Sequence, residues 1–324
     1  MTIRFSKVRI MLVALLGTAT LPMLAVDAGH AQLGGLGRVV GGVAGSSLGA
    51  ITRGTPPVST NIRDATFGDP SKDRFTPPGR VQAMTGLQRT ASGGFVLQGG
   101  YYEYRSQSYC LHAGTHGPGG GDGYLYAPVL GSAREAVTSI LQNSVAHPEI
   151  DQHDIQVLLW AIVARARFED LDNRLKLVAS RLLTQRQLAT LNRSALSVLN
   201  SSQLQSLVGM PPFARQVLTA ESDMRRLVTL PGASYADMER VAVLGGMAPR
   251  GEGSVDTPSG RWSRHPDGYW VRYIPSSYTN TQVQIWVEPG SSAVGKTFDP
   301  ATQIAVPSNT GRQRLAQSGR VYGG

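Results

Sequence analysis

The chain has 324 residues, a formal net charge of +9, 38 glycines, 19 prolines and a single cysteine, and only 16% of its residues are charged. One cysteine excludes a disulfide framework and a cysteine-rich zinc module, and 41% apolar residues exclude wholesale disorder and a polytopic membrane protein. The length leaves room for one or two domains and a sizeable core.

The first segment reads as an export signal. Arg4, Lys7 and Arg9 precede an apolar run from Ile10 towards Val26, and Gly29-His30-Ala31 places small residues where a signal peptidase cuts. Residues 1–31 are therefore expected to be removed, which lowers the net positive charge by two. The expected location is secreted, periplasmic or cell surface. Export argues against a nucleic-acid partner, as does the absence of a Lys/Arg run interleaved with aromatics. It also makes an odd cysteine notable, because an oxidising compartment favours burying it, pairing it or giving it a chemical role.

Residues 32–93 read as a Gly/Pro-rich linker. Gly37, Gly41, Gly45 and Gly49 recur every four residues, a spacing that lets helices approach closely in a membrane; association through 33–51 is an alternative to a plain flexible linker. Residues 94–250 read as an α+β domain. Phe95-Val96-Leu97, Tyr101–Tyr104, Ser108–Leu111 and Tyr124–Tyr126 are short aromatic or branched runs. Between the last two, His112–Gly123 is expected to be irregular. Helical stripes follow over 133–146, from Asp151 onward, and over 175–183. Thr184-Gln185-Arg186-Gln187 reads as a capping box, and further helices are expected near 213–228 and 234–244, the latter capped by Ser234. Residues 251–288 revert to strand patterning, with a Pro266-Asp267-Gly268 turn and alternation over Gln282–Val287. They are expected to form a small antiparallel β unit. Residues 289–324, poor in large apolar side chains, are expected to be disordered.

Cys110 stands at a strand end beside a glycine-rich loop carrying His112 and His116, and a neighbouring base is what a nucleophilic thiolate needs. Gly117–Gly123 lacks the Gly-Lys-Ser/Thr ending of a phosphate loop, so no nucleotide or other cofactor is expected. His147 and His153 add two imidazoles without a recognised ligand spacing, so no metal is expected. Gln156 lies among Ile155, Val157, Leu158, Leu159 and Trp160, where it must find partners or stand on the helix's solvent flank.

Tyr109-Cys110-Leu111 and Ile155-Gln156-Val157-Leu158-Leu159-Trp160 together resemble the two signature segments of the thioester domains of bacterial surface adhesins, over roughly residues 95–170. The resemblance implies an internal thioester between Cys110 Sγ and the Gln156 side-chain carbonyl carbon. Trp160 is expected to shield such a bond from water, and proximity in sequence offers His112 or His116 as its base. The resemblance also implies a single-use covalent binder rather than a turnover enzyme, coupling to a surface-protein amine or a polysaccharide hydroxyl. Two alternatives stand beside it. One is a cell-envelope cysteine hydrolase or transamidase using Cys110 with His112, His116 or His265. The other is a glycan-binding scaffold presenting Trp262, Trp270 and Trp286, with Tyr269 and Tyr273.

Overall fold

The structure is a computed structural model describing residues 55–59, 61–65, 70–119 and 121–323. The expected signal segment 1–31 and the glycine-spaced segment 33–51 lie outside the described residues.

Twelve strands are present among them: β1 (Gln82–Ala83), β2 (Phe95–Val96), β3 (Gly100–Cys110), β4 (Thr115–His116), β5 (Tyr124–Pro128), β6 (Val243–Leu244), β7 (Ser263–Arg264), β8 (Trp270–Pro275), β9 (Asn280–Val287), β10 (Thr297–Phe298), β11 (Gln303–Pro307) and β12 (Leu315–Val321). Between β5 and β6 the chain makes seven α-helices: α1 (Arg134–Asn143), α2 (Gln152–Val163), α3 (Asn173–Leu182), α4 (Gln185–Arg193), α5 (Ser201–Ser206), α6 (Pro212–Leu227) and α7 (Tyr235–Ala242). The protein is mixed α+β.

Six strands close on themselves. β3 pairs with β12, β12 with β11, β11 with β5, β5 with β8, β8 with β9 and β9 back with β3, every pair antiparallel. The circuit is a barrel with an uneven seam: β3 and β9 pair from Gly100↔Val287 to Gln107↔Asn280, whereas β5 and β8 meet only at Tyr124↔Tyr273. Closure removes the exposed edges that a flat sheet would leave.

The helices start where local chemistry allows. Asp151 accepts from the His153 N–H, and Asp172 from the Leu175 N–H. Thr184/Gln187, Asn200/Gln203 and Ser234/Asp237 form capping boxes, each satisfying N–H groups a helix start leaves unpaired. Pro212, in the first turn of α6, loses no intrahelical bond there. In α2 every residue from Ile155 to Val163 is buried, the mark of a helix enclosed on all sides.

Four expectations need correction. Residues 289–323 are not disordered: β10, β11 and β12 lie there, and Ile304, Ala305, Val306, Leu315 and Ala316 are fully buried. Low apolar content misled because this stretch buries polar side chains that find partners. Gln313 Nε2, for instance, donates to the carbonyls of Ala242 and Thr115. Residues 251–288 are not a separate unit, since β8 and β9 are barrel strands, and one cluster of buried apolar side chains runs from Val58 to Ala316. Residues 70–93 are not a free linker: Met84 is in the core, β1 lies parallel along β3, and Arg261 clamps Asp73 through two bonds of 2.7 and 2.6 Å. The loop 112–123 contains a strand after all, β4, which pairs parallel with β6. There Gly114, at φ +73°, passes α6 so closely that a Cβ would stand 2.7 Å from that of Ala220.

Candidate functional site

β3 delivers Cys110 to its C-terminal end, opposite Leu315 of β12, and both residues are fully buried. α2 crosses that end. Gln152 and Gln156, one turn apart on a single helix face, both reach the strand. Gln152 Nε2 donates to the carbonyls of Ser108 (3.2 Å) and Thr279 (2.8 Å). Gln156, only 1% exposed, makes a two-way contact with Cys110. The Cys110 N–H donates to Gln156 Oε1 at 2.8 Å, and Gln156 Nε2 donates to the Cys110 carbonyl at 3.1 Å. The solvent-flank placement of Gln156 is thereby overturned: α2 has no solvent flank here, and the carboxamide is accommodated because one residue supplies both of its partners.

Trp160, the next position along that face, is fully buried and stacks on Tyr235 of α7 with ring centroids 5.5 Å apart. His153, exposed at the start of α2, stacks on Tyr235 at 4.0 Å. Three rings thus run from the surface to the interior beside the Cys110–Gln156 contact. The Tyr235 hydroxyl lies 3.1 Å from that of Tyr278, which donates a short hydrogen bond to the Glu239 carboxylate. The loop carrying Tyr278 is held against β3, where Ser108 Oγ donates to the Tyr278 carbonyl at 3.0 Å.

The electrostatics here favour neutral forms. Burial pushes the Cys110 thiol well above its ordinary value, and the Glu239 carboxylate pushes it further. His112 is part-buried with its Nδ1 enclosed and unpartnered, and burial together with Arg314 brings its pKa down to about 3. It therefore supplies no imidazolium to stabilise a thiolate at neutral pH. His116 Nδ1 is likewise enclosed without a partner, its backbone held by Gly311 and Gln313. His265 packs between Tyr126 and Tyr269 at 4.7 and 4.3 Å, its pKa lowered to about 4 mainly by burial.

The expected glycan face divides. Trp262 is fully buried, its Nε1–H donating to the Phe75 carbonyl and its ring covered by the Arg272 guanidinium at 4.4 Å. Tyr269 and Tyr273 are also buried. None of the three offers a ring to a sugar, which corrects their assignment: each fills core between strands. Trp270 and Trp286 are half-buried and stack at 6.4 Å, with Phe75 4.5 Å from Trp286 and Lys72 Nζ 5.1 and 5.5 Å from the two rings.

Sequence reasoning missed Tyr235, Tyr278 and Glu239. Tyr235 directly follows the recognisable cap Ser234, but nothing in the order of residues tells which helix will stack on Trp160. Among the described residues, no group of three or more His, Cys, Asp and Glu side chains converges as a metal site, and no helix is long and apolar enough to cross a membrane. Comparison with protein-family models, with curated proteins and with solved structures finds no match.

Proposed function

We propose that this is an exported binding protein of the bacterial cell surface, whose Cys110 and Gln156 form an internal thioester that couples once to a nucleophile on a partner. The observation that carries this reading is the reciprocal pairing of the Gln156 carboxamide with the Cys110 backbone. The Cys110 N–H polarises the carbonyl that its own Sγ would attack, and would hold the oxygen's charge as the tetrahedral intermediate forms. Sγ bonds to Cδ, the C–Nε2 bond breaks, and the nitrogen leaves as ammonia with the thiol proton. Cys110, Gln156 and Trp160 are all buried, which keeps water from the product. Bond formation also removes the odd thiol from disulfide chemistry. A partner's amine or hydroxyl then attacks Cδ, giving an amide or ester to Gln156 and returning the Cys110 thiol.

The cysteine hydrolase alternative is less well supported. A buried thiol whose pKa is raised by burial and by a carboxylate lacks the thiolate character such an enzyme needs.

Intact-mass measurement tests the proposal. The purified mature protein is expected to weigh less than its own sequence, without the export signal, by one ammonia, and Cys110→Ala and Gln156→Ala variants are expected to show no deficit. A wild-type mass equal to the sequence mass defeats the reading.

A further inference from the structure

Glu239 has no part in the bond itself, yet the fold ties it from two directions to the elements that carry Cys110 and Gln156. It lies on α7, whose last residue, Ala242, accepts hydrogen bonds from the Gly114 N–H (2.9 Å) and from Gln313 Nε2 (2.8 Å). Its carboxylate accepts from the Tyr278 hydroxyl, and the Tyr278 carbonyl is bonded to Ser108. Ser108 shares a face of β3 with Cys110. Tyr235, four residues before Glu239, covers Trp160. The carboxylate's charge is felt at the Cys110 thiol. Glu239, Tyr235 and Tyr278 are each only part-buried, so this network is also the part of the surroundings that solvent reaches. The imidazoles nearest in sequence are poorly suited to proton transfer. His112 is held down to about 3, and both His112 and His116 have Nδ1 enclosed.

We propose that Glu239, oriented by Tyr278, is the group that accepts the proton of an amine attacking the thioester. The assignment rests on the thioester reading above and adds the residue that drives its reaction. An incoming alkylammonium meets the carboxylate and gives it one proton. The freed amine attacks Cδ of Gln156, and the developing oxyanion stays on the Cys110 N–H. The C–Sγ bond breaks, and a second proton passes from the nitrogen to Sγ. The products are an amide at Gln156, a Cys110 thiol and a protonated Glu239, which returns its proton to water. The direction of the Cys110 shift supports the last transfer, because sulfur leaves most readily here as the neutral thiol.

The test compares two nucleophiles on the full chain, with intact mass as the readout. Ethylamine is charged at neutral pH, whereas hydroxylamine is uncharged and has no ammonium proton to lose. Glu239→Gln is expected to keep the ammonia deficit and to add ethylamine about 100-fold more slowly, while hydroxylamine adds at close to the wild-type rate. Glu239→Asp, which keeps the charge, is expected to recover part of the ethylamine rate, and Tyr278→Phe to lose less than Glu239→Gln. Unchanged ethylamine addition in Glu239→Gln overturns the assignment. So does equal slowing with both nucleophiles, the result of a merely structural role. A Glu239→Gln protein lacking the deficit overturns it too, by moving Glu239 into bond formation. A wild-type protein lacking the deficit fails the thioester reading itself and takes this one with it.

Discussion

Gln156 is 1% exposed in a helix whose next seven residues are all buried, and a carboxamide is tolerated there because Cys110 offers it a donor and an acceptor at once. Replacing it with leucine leaves the Cys110 N–H and carbonyl without those partners, at about 1–3 kcal/mol for each group left unsatisfied. Gln156→Leu is therefore expected to unfold at lower urea than Cys110→Ala, which keeps the backbone contact; equal midpoints would deny the contact any weight. Trp160→Ala opens a cavity at the inner end of the stack and is expected to cost about 3–5 kcal/mol by denaturant titration, and to let water hydrolyse any thioester. His112 adds a dependence on pH. Its folded pKa of about 3 lies below its ordinary 6.5, so the unfolded chain takes up the proton first. Stability is lost as pH falls from 6.5 towards 3, and none of this loss occurs above 6.5. His112→Asn is expected to flatten that part of the pH–stability curve.

Helices announce their starts locally, and strands do not announce their partners. Asp151, Thr184 and Ser234 are recognisable caps in the sequence and cap helices in the fold. The eleven-residue β3 instead looks like two short runs, because Arg105-Ser106-Gln107 interrupts its aromatic pattern. Ser106 is nevertheless fully buried, its Oγ donating to the carbonyl of Ser318. A polar residue paired across 212 positions of chain leaves no local trace. The same blindness hid β11 and β12. Ala316 stands between Tyr109 of β3 and Ile304 of β11, in a strand with a neighbour on each side. Proline there removes a ladder hydrogen bond and is expected to cost about 3 kcal/mol or more, read as loss of soluble, cooperatively unfolding protein. Normal folding of Ala316→Pro would mean that β12 is dispensable.

At the scale of the molecule, Cys110 and Gln156 were legible because chemistry rather than topology marks them: one cysteine in the chain, and one glutamine inside the apolar run Ile155–Val163. The surrounding network of Glu239, Tyr278 and Tyr235 was not, since it is assembled by a barrel whose closure the sequence does not display. That barrel is unevenly sewn, with β3 and β9 paired along eight positions and β5 and β8 at one. Hydrogen exchange is expected to follow this inequality, with amides near Tyr124 and Tyr273 exchanging before those of β3 facing β9. Uniform protection around the barrel would contradict it.

Because β12 supplies Leu315, the buried neighbour opposite Cys110, the burial of that thiol has a schedule as well as a geometry. During synthesis the thiol emerges long before Leu315 does, and until β12 arrives the strand end lies open. A nascent chain therefore presents a bare cysteine to every oxidant it meets. Whatever protects that sulfur afterwards begins only when the far end of the barrel has been laid against it.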